Sequence, residues 1–231
     1  KDSTWKNAKT SSTVDGDLTV TNSTVTGTGE KNTSGTSEQF NIKKNMNVSD
    51  STISSQLKFF VGEKVTSSNT KFQFDRSVKF GLNYEPSSGL VDLNSLKDIW
   101  ESTKDSVIIT AEYKPQEEDQ VWNYVMGHAK FNDTQLVFMA PVSIWGNYKN
   151  EGKTTISLPA FAKDTNYPDK AFIPLEIGGE ADGETPVTLV KNEGDYTEEG
   201  LPIVGHNYIN ALKESKDVFK LANENAKEGR Y

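Results

Sequence analysis

The stretch from Phe72 to Tyr84 constrains the fold more than any other part of this chain. Every second residue reads Phe72, Phe74, Arg76, Val78, Phe80, Leu82, Tyr84, with Gln73, Asp75, Ser77, Lys79, Gly81 and Asn83 between them. Side chains alternate across a strand, so this order puts an apolar stripe on one face and polar groups on the other. Arg76 interrupts the stripe and marks a bulge, or a turn between two short strands with Asp75 and Arg76 at the bend. The rest of the chain reads as sheet built around this segment.

The same alternation recurs downstream. Leu57–Val61 is a strand ended by Gly62. Val107, Ile109, Ala111 and Tyr113 alternate. Val121–Lys130 carries Trp122, Tyr124, Met126 and His128 on one face. Val142, Ile144, Gly146 and Tyr148 put Trp145 on the opposite face. Runs of strands with few helices indicate a sandwich or barrel, and strands joined by short turns are expected to pair antiparallel. Two helices are expected besides. Ser95 with Asp98 fits a capping box ahead of Leu96, Ile99, Trp100 and Thr103. Residues 207–228 place Tyr208, Leu212, Phe219 and Ala222 on one stripe. The fold class expected is therefore all-β, an antiparallel sandwich or barrel-like body, with one short internal helix and a C-terminal surface helix.

Residues 1–56 differ in composition, being dominated by Ser, Thr, Asn and Gly. They are expected to form an N-terminal arm of weak strands or disorder, ahead of a β-rich body over 57–231. An internal echo runs through the arm. Leu18-Thr19-Val20-Thr21-Asn22-Ser23-Thr24-Val25 matches Met46-Asn47-Val48-Ser49-Asp50-Ser51-Thr52-Ile53 as apolar-x-Val-x-x-Ser-Thr-apolar. Paired strands, a disordered stalk and a short β-helix all accommodate it. Two copies fall short of the three that a solenoid needs to bury a continuous core.

The 231 residues carry a formal net charge of −8, and cysteine is absent. An acidic surface repels phosphates, so nucleic acid is not an expected partner. Disulfides, thiolate metal sites and a cysteine nucleophile are excluded. No stretch has the length of a transmembrane helix. A Lys at position 1 fits removal of an export signal, which places the expected location outside the cell or at its surface.

Motifs for chemistry are sparse. The two histidines, His128 and His206, lack zinc-site spacing. Neither G-x-S-x-G nor a Gly-rich phosphate loop occurs. Glu117, Glu118 and Asp119 are adjacent, which points their side chains apart and fits a solvated loop better than a hydrolase pair. The acidic run from Glu176 to Glu199 offers Glu180, Asp182 and Glu184 as a candidate calcium site, because hard cations take several loop oxygens. Trp122, Tyr124, Trp145 and Tyr148 lie on neighbouring expected strands and form a candidate glycan platform, with core packing as the alternative. The function expected is a non-enzymatic extracellular or cell-surface protein. It would be a subunit or adhesive domain of an extracellular assembly that self-associates or meets neighbouring subunits through its N-terminal arm. A carbohydrate-binding module is the alternative, and a glycan-acting hydrolase the third reading.

Overall fold

The computed structural model describes residues 3–8, 11–28, 38–85, 92–110, 123–159, 175–190, 209–211 and 218–221. They form three sheets in which every strand pair is parallel. Sheet A stacks Thr4–Ala8, Thr24–Thr28, Thr52–Ser55, Lys71–Phe74, Ser106–Ile109, Gln135–Phe138, Thr155–Pro159, Thr185–Val190 and Phe219–Leu221. Sheet B stacks Ser12–Val14, Gln39–Ile42, Lys58–Val61, Val78–Phe80, Asn123–Val125, Val142–Ile144, Leu175–Ile177 and Ile209–Ala211. Sheet C stacks Leu18–Thr21, Met46–Ser49, Val65–Ser68, Asp98–Thr103, His128–Asn132, Tyr148–Asn150 and Ala181–Asp182. The chain visits A, B and C in turn and then returns to A one rung further on. This is a three-sided parallel β-solenoid.

The expected antiparallel sandwich or barrel is therefore corrected. The strands are short and the turns tight, as read, but each turn passes the chain to a different sheet instead of folding it back. A parallel pair needs a crossover of a dozen or more residues, and the two remaining sides of a coil supply it. At bare corners the rung-to-rung spacing is 19 residues, as between Asp50 and Asn69 or His128 and Asn147. Phe72 and Phe74 belong to sheet A and Val78 and Phe80 to sheet B, with the bend at Asp75–Arg76. The echo marks two adjacent rungs: Leu18 pairs with Met46, Val20 with Val48, Thr24 with Thr52 and Val25 with Ile53. Residues of the expected arm thus run in the same ladders as the strands after Leu57.

Neither expected helix forms. Asp98–Thr103 is a strand of sheet C, and only a 3-10 turn at Leu93–Ser95 precedes it, capped by the Asp92 side chain. A register shift between Asp98 and Trp100 turns both Ile99 and Trp100 inward. That consecutive pair imitates a helical stripe. Within 207–228, Ile209–Ala211 and Phe219–Leu221 are strands that pair with the preceding coil. Among the described residues there is no α-helix, and no helix is long and apolar enough to cross a membrane.

The interior is one column of side chains. Rungs about 4.8 Å apart bring like residues into contact. An aromatic spine follows: Trp5–Phe40, Phe40–Phe59, Phe59–Phe74, Phe74–Phe80, Phe80–Trp100, Trp100–Phe131, Phe131–Tyr148 and Tyr148–Phe219, with centroids 4.9 to 6.4 Å apart. Buried valines, isoleucines and leucines fill the space around it.

The corner from sheet C to sheet A has its own chemistry. Asn22, Asp50, Asn69, Lys104 and Asp133 take φ of 47° to 54° there, and Gly183 takes 88°. Asn and Asp tolerate this left-handed conformation, which explains their recurrence. After the Asn, Asp and Lys positions the next residue is a small hydroxyl or, at Asp105, a carboxylate, and Ser51, Thr70, Asp105 and Thr134 are buried. Ser23 N donates to Ser51 Oγ (3.1 Å), Thr70 N to Asp105 Oδ1 (2.8 Å) and Thr134 N to Thr154 Oγ1 (3.2 Å). Each links one coil to the next, and the last two satisfy buried backbone donors. The bare repeat is interrupted at segments 29–37, 111–122, 160–174 and 191–208, each between a strand of sheet A and the next strand of sheet B, and at 81–97, between sheet B and sheet C.

Candidate functional site

Sheet B carries the most distinctive outer surface. Inward residues alternate with outward ones, so register alone places Asn41, Phe60, Lys79, Tyr124, Ser143 and Glu176 in one outward column. Phe60, Lys79 and Tyr124 occupy consecutive rungs and are half-buried. The Lys79 ammonium lies 5.7 Å from the Phe60 ring centroid and 5.5 Å from that of Tyr124. Both distances lie within cation–π range. Trp145 occupies the corner after Ile144, also half-buried, and meets Tyr124 edge to face at 5.8 Å. Ser143 Oγ donates to Glu176 Oε2 at 3.4 Å, which ties the next two rungs together.

The electrostatics follow from this packing. Partial burial pushes the Tyr124 phenol up to about 12, helped by the negative charges of Glu176 and Glu85. Tyr124 therefore keeps its proton at neutral pH and presents an uncharged ring and a hydroxyl. At the adjoining corner, Lys97 lies 4.7 Å from the Tyr84 ring centroid. Phe60, Lys79 and Tyr124 thus set one charged group between two rings, and the polar pair Ser143 and Glu176 follows.

The corner that carries Trp145 belongs to a second regular feature. At the passage from sheet B to sheet C, a side chain of one coil accepts the backbone N–H of the next. Asn45 N donates to Asp17 Oδ1 (3.0 Å), Lys64 N to Asn45 Oδ1 (3.2 Å), Asn147 N to His128 Nδ1 (2.8 Å) and Glu180 N to Asn147 Oδ1 (2.9 Å). Two bonds from Asn45, backbone and side chain, hold the Asp17 carboxyl below its ordinary value. Backbones approach closely here. A Cβ on Gly62 would lie 2.2 Å from the Lys43 carbonyl oxygen, and one on Gly146 would lie 2.5 Å from His128 Nδ1.

The residues expected to form a glycan platform separate. Tyr124 and Trp145 come together on the outer face of sheet B. Tyr148 does not join them: it is fully buried in sheet C, with its hydroxyl 2.9 Å from Thr185 Oγ1, and burial raises its phenol further. Trp122 lies outside the described residues. Sequence reading passed over Phe60 and Lys79. Their signal is outward parity at the 19-residue rung spacing, recognisable only once that period is known.

The expected calcium ligands are spread around one coil. Glu180 is at the corner into sheet C, Asp182 at the end of its strand, and Glu184 at the next corner, where it pairs with Lys220 at 2.7 Å. Among the described residues, no three His, Asp or Glu side chains gather as a metal site would require. Glu193, Asp195, Glu198 and Glu199 lie outside the described residues, as do Glu117, Glu118, Asp119 and His206. No family model, curated protein or solved structure matches the chain.

Proposed function

We propose that this chain is a non-catalytic adhesive solenoid, displayed outside the cell, that holds an extended glycan along the outer face of sheet B. The observation that carries this reading is the column Phe60–Lys79–Tyr124 with Trp145 beside it. Half-buried rings are held rigidly by their neighbours, so they lose little freedom when a ligand arrives. Pyranose rings stack their C–H faces on such surfaces, while Lys79 and Glu176 supply hydrogen bonds to hydroxyl groups. The rungs repeat at about 4.8 Å, which favours a linear polymer lying along the solenoid axis over a compact small molecule. Repeat proteins often place their insertions around the binding face, and here four of the longer connections lead from sheet A into sheet B and a fifth leaves sheet B for sheet C. The Ser/Thr/Asn-rich composition of the first coils motivates the extracellular setting.

The test is an array of soluble polysaccharides followed by calorimetry on any that bind. Tyr124→Ala and Trp145→Ala are each expected to weaken binding at least tenfold, as loss of a central aromatic anchor does. Binding that survives both substitutions, or no binding across neutral and charged glycans, would overturn the reading.

A second reading is self-association through the N-terminal coil. It is favoured by Trp5, 42% exposed where the aromatic spine reaches its end, and the exposed large hydrophobic among the described residues. Edge strands of a parallel stack invite a further strand, and head-to-tail contact would extend the rod. Light scattering at rising concentration checks this. Association that Trp5→Ser abolishes is expected, and a chain that stays monomeric would sink it.

A further inference from the structure

We propose that His128 is a pH-sensitive latch on the corner that carries Trp145, so that acidification loosens one wall of the sheet B column. The inference rests on the glycan reading for its purpose, but its physical content is independent of any ligand.

The backbone N–H of Asn147 is a donor and nothing else. Its partner at 2.8 Å, His128 Nδ1, must therefore be the unprotonated nitrogen, with the ring hydrogen on Nε2. The equivalent acceptors in neighbouring coils are Asp17, Asn45 and Asn147, through oxygens that remain acceptors at neutral and mildly acidic pH. His128 alone in this series becomes a donor on gaining a proton, and imidazole is the side chain suited to do so near neutrality. Protonation would then set two N–H groups against each other across the corner.

The corner has little room to absorb that change. Gly146 N donates to Gly127 O at 3.0 Å, and a Cβ on Gly146 would lie 2.5 Å from His128 Nδ1. The strain therefore passes along the three-residue turn Trp145–Asn147, whose first residue is held by Trp145 N donating to Val125 O at 2.9 Å. Trp145 packs on Tyr124, so displacement of the turn shifts the aromatic wall.

The charged groups around His128 are mixed in sign. On the preceding rung Asp98 is its register partner, and Lys97 accepts the His128 N–H through its carbonyl. Lys130 lies along the same strand and Lys149 on the next rung, both paired to Glu151. Glu180 follows one rung further. Acidic and basic neighbours thus surround the ring on both sides, the two lysines tied to Glu151.

The experiment is nuclear magnetic resonance on the full chain without ligand, between about pH 8 and about pH 5. In the wild type, the protection factor of the Asn147 amide is expected to fall about tenfold as His128 gains its proton, the consequence of one lost hydrogen bond. The Trp145 indole N–H resonance should move over the same range. In His128→Asn, which supplies an oxygen as Asn45 and Asn147 do, both changes should vanish. An Asn147 amide equally protected at both pH values would overturn the latch, and so would identical behaviour in the variant. A parallel binding series with the polysaccharides keeps the two ideas apart. Absent binding at every pH sinks the glycan reading while the resonances still decide the latch. Binding that is unchanged by pH while the resonances titrate would confine the latch to the corner and overturn its action on the column.

Discussion

Two aromatic columns run along sheet B, one on each face, and adjacent residues of a single strand belong to different ones. Phe59 points inward, 1% exposed, between Phe40 and Phe74. Phe60 points outward, half-buried, against Lys79. The ladder that aligns Phe59 with Val78 also aligns Phe60 with Lys79. Identical backbone geometry thus yields a packed core on one side and an open platform on the other. The difference lies in what faces each ring. The inner column has two further sheets closing over it. The outer column has solvent and its own rung neighbours, with Lys79 spacing the rings. Sheet C, built on the same lattice, dresses its outer face differently, with Lys64–Glu101, Lys130–Glu151 and Lys149–Glu151 ion pairs at 2.7 to 2.9 Å. Such exposed pairs add little stability, and they give the outer face of sheet C charged groups where that of sheet B carries Phe60, Tyr124 and Trp145.

The comparison breaks most directly at those two phenylalanines. Phe59→Ala is expected to destabilise the fold by about 3–5 kcal/mol, the transfer and cavity cost of a buried Phe. Phe60→Ala should cost less than about 1 kcal/mol, because its ring keeps much of its exposure in the folded state. Urea melts of both variants measure this. Equal losses would mean that the outer column is structural rather than a platform.

A smaller effect sharpens the contrast inside the core. Asp105 is the one carboxylate in the inward Ser/Thr position of the corner from sheet C to sheet A. It is buried and accepts bonds from Ser67 Oγ (2.5 Å), Ser102 Oγ (2.6 Å) and Thr70 N (2.8 Å). Asp105→Ala strands those donors and should cost about 1–3 kcal/mol. Burial raises the Asp105 pKa above the ordinary 3.8, outweighing the hydrogen bonds that pull it down. The folded chain then holds this proton at pH values where the unfolded chain has released it. Stability from this group is greatest below 3.8 and declines as pH rises through the raised folded value. Chemical melts across acidic pH should show that slope in the wild type and lose it in Asp105→Asn. A slope unchanged by the substitution would assign it to other carboxylates.

Much of the candidate site was visible in the chain before folding. Tyr124 and Trp145 stand out as aromatic residues on neighbouring strands, and they meet. Tyr148 stands out by the same rule and is buried, because the alternation Val142, Ile144, Gly146, Tyr148 runs through a corner at Trp145–Asn147 and into sheet C. An alternating pattern looks identical whether the chain continues straight or turns between positions of like parity. Phe60 and Lys79 escaped notice because they belong to different elements in a linear reading. Their proximity comes from a coil period that the longer connections interrupt. The single echo, Leu18–Val25 with Met46–Ile53, was the visible trace of that period, and identity drifts beyond it while polarity persists.

By itself the sequence determined where most strands lie and which side chains alternate along them, outside Asp98–Thr103 and 207–228, where consecutive apolar residues imitate a helical stripe. Those properties depend on neighbours one to four positions away, through alternation, β-branching and the left-handed tolerance of Asn, Asp and Gly. Tertiary structure alone decided the direction of pairing. A tight turn permits reversal into an antiparallel neighbour or passage into the next side of a coil, and the local sequence supports both. What separates them is whether the next coil, 19 residues on at a bare corner, offers a matching inward row and acceptors for its N–H groups. That requirement is met by Asp17 for Asn45, by His128 for Asn147 and by Thr154 for Thr134, each a contact between residues of different coils.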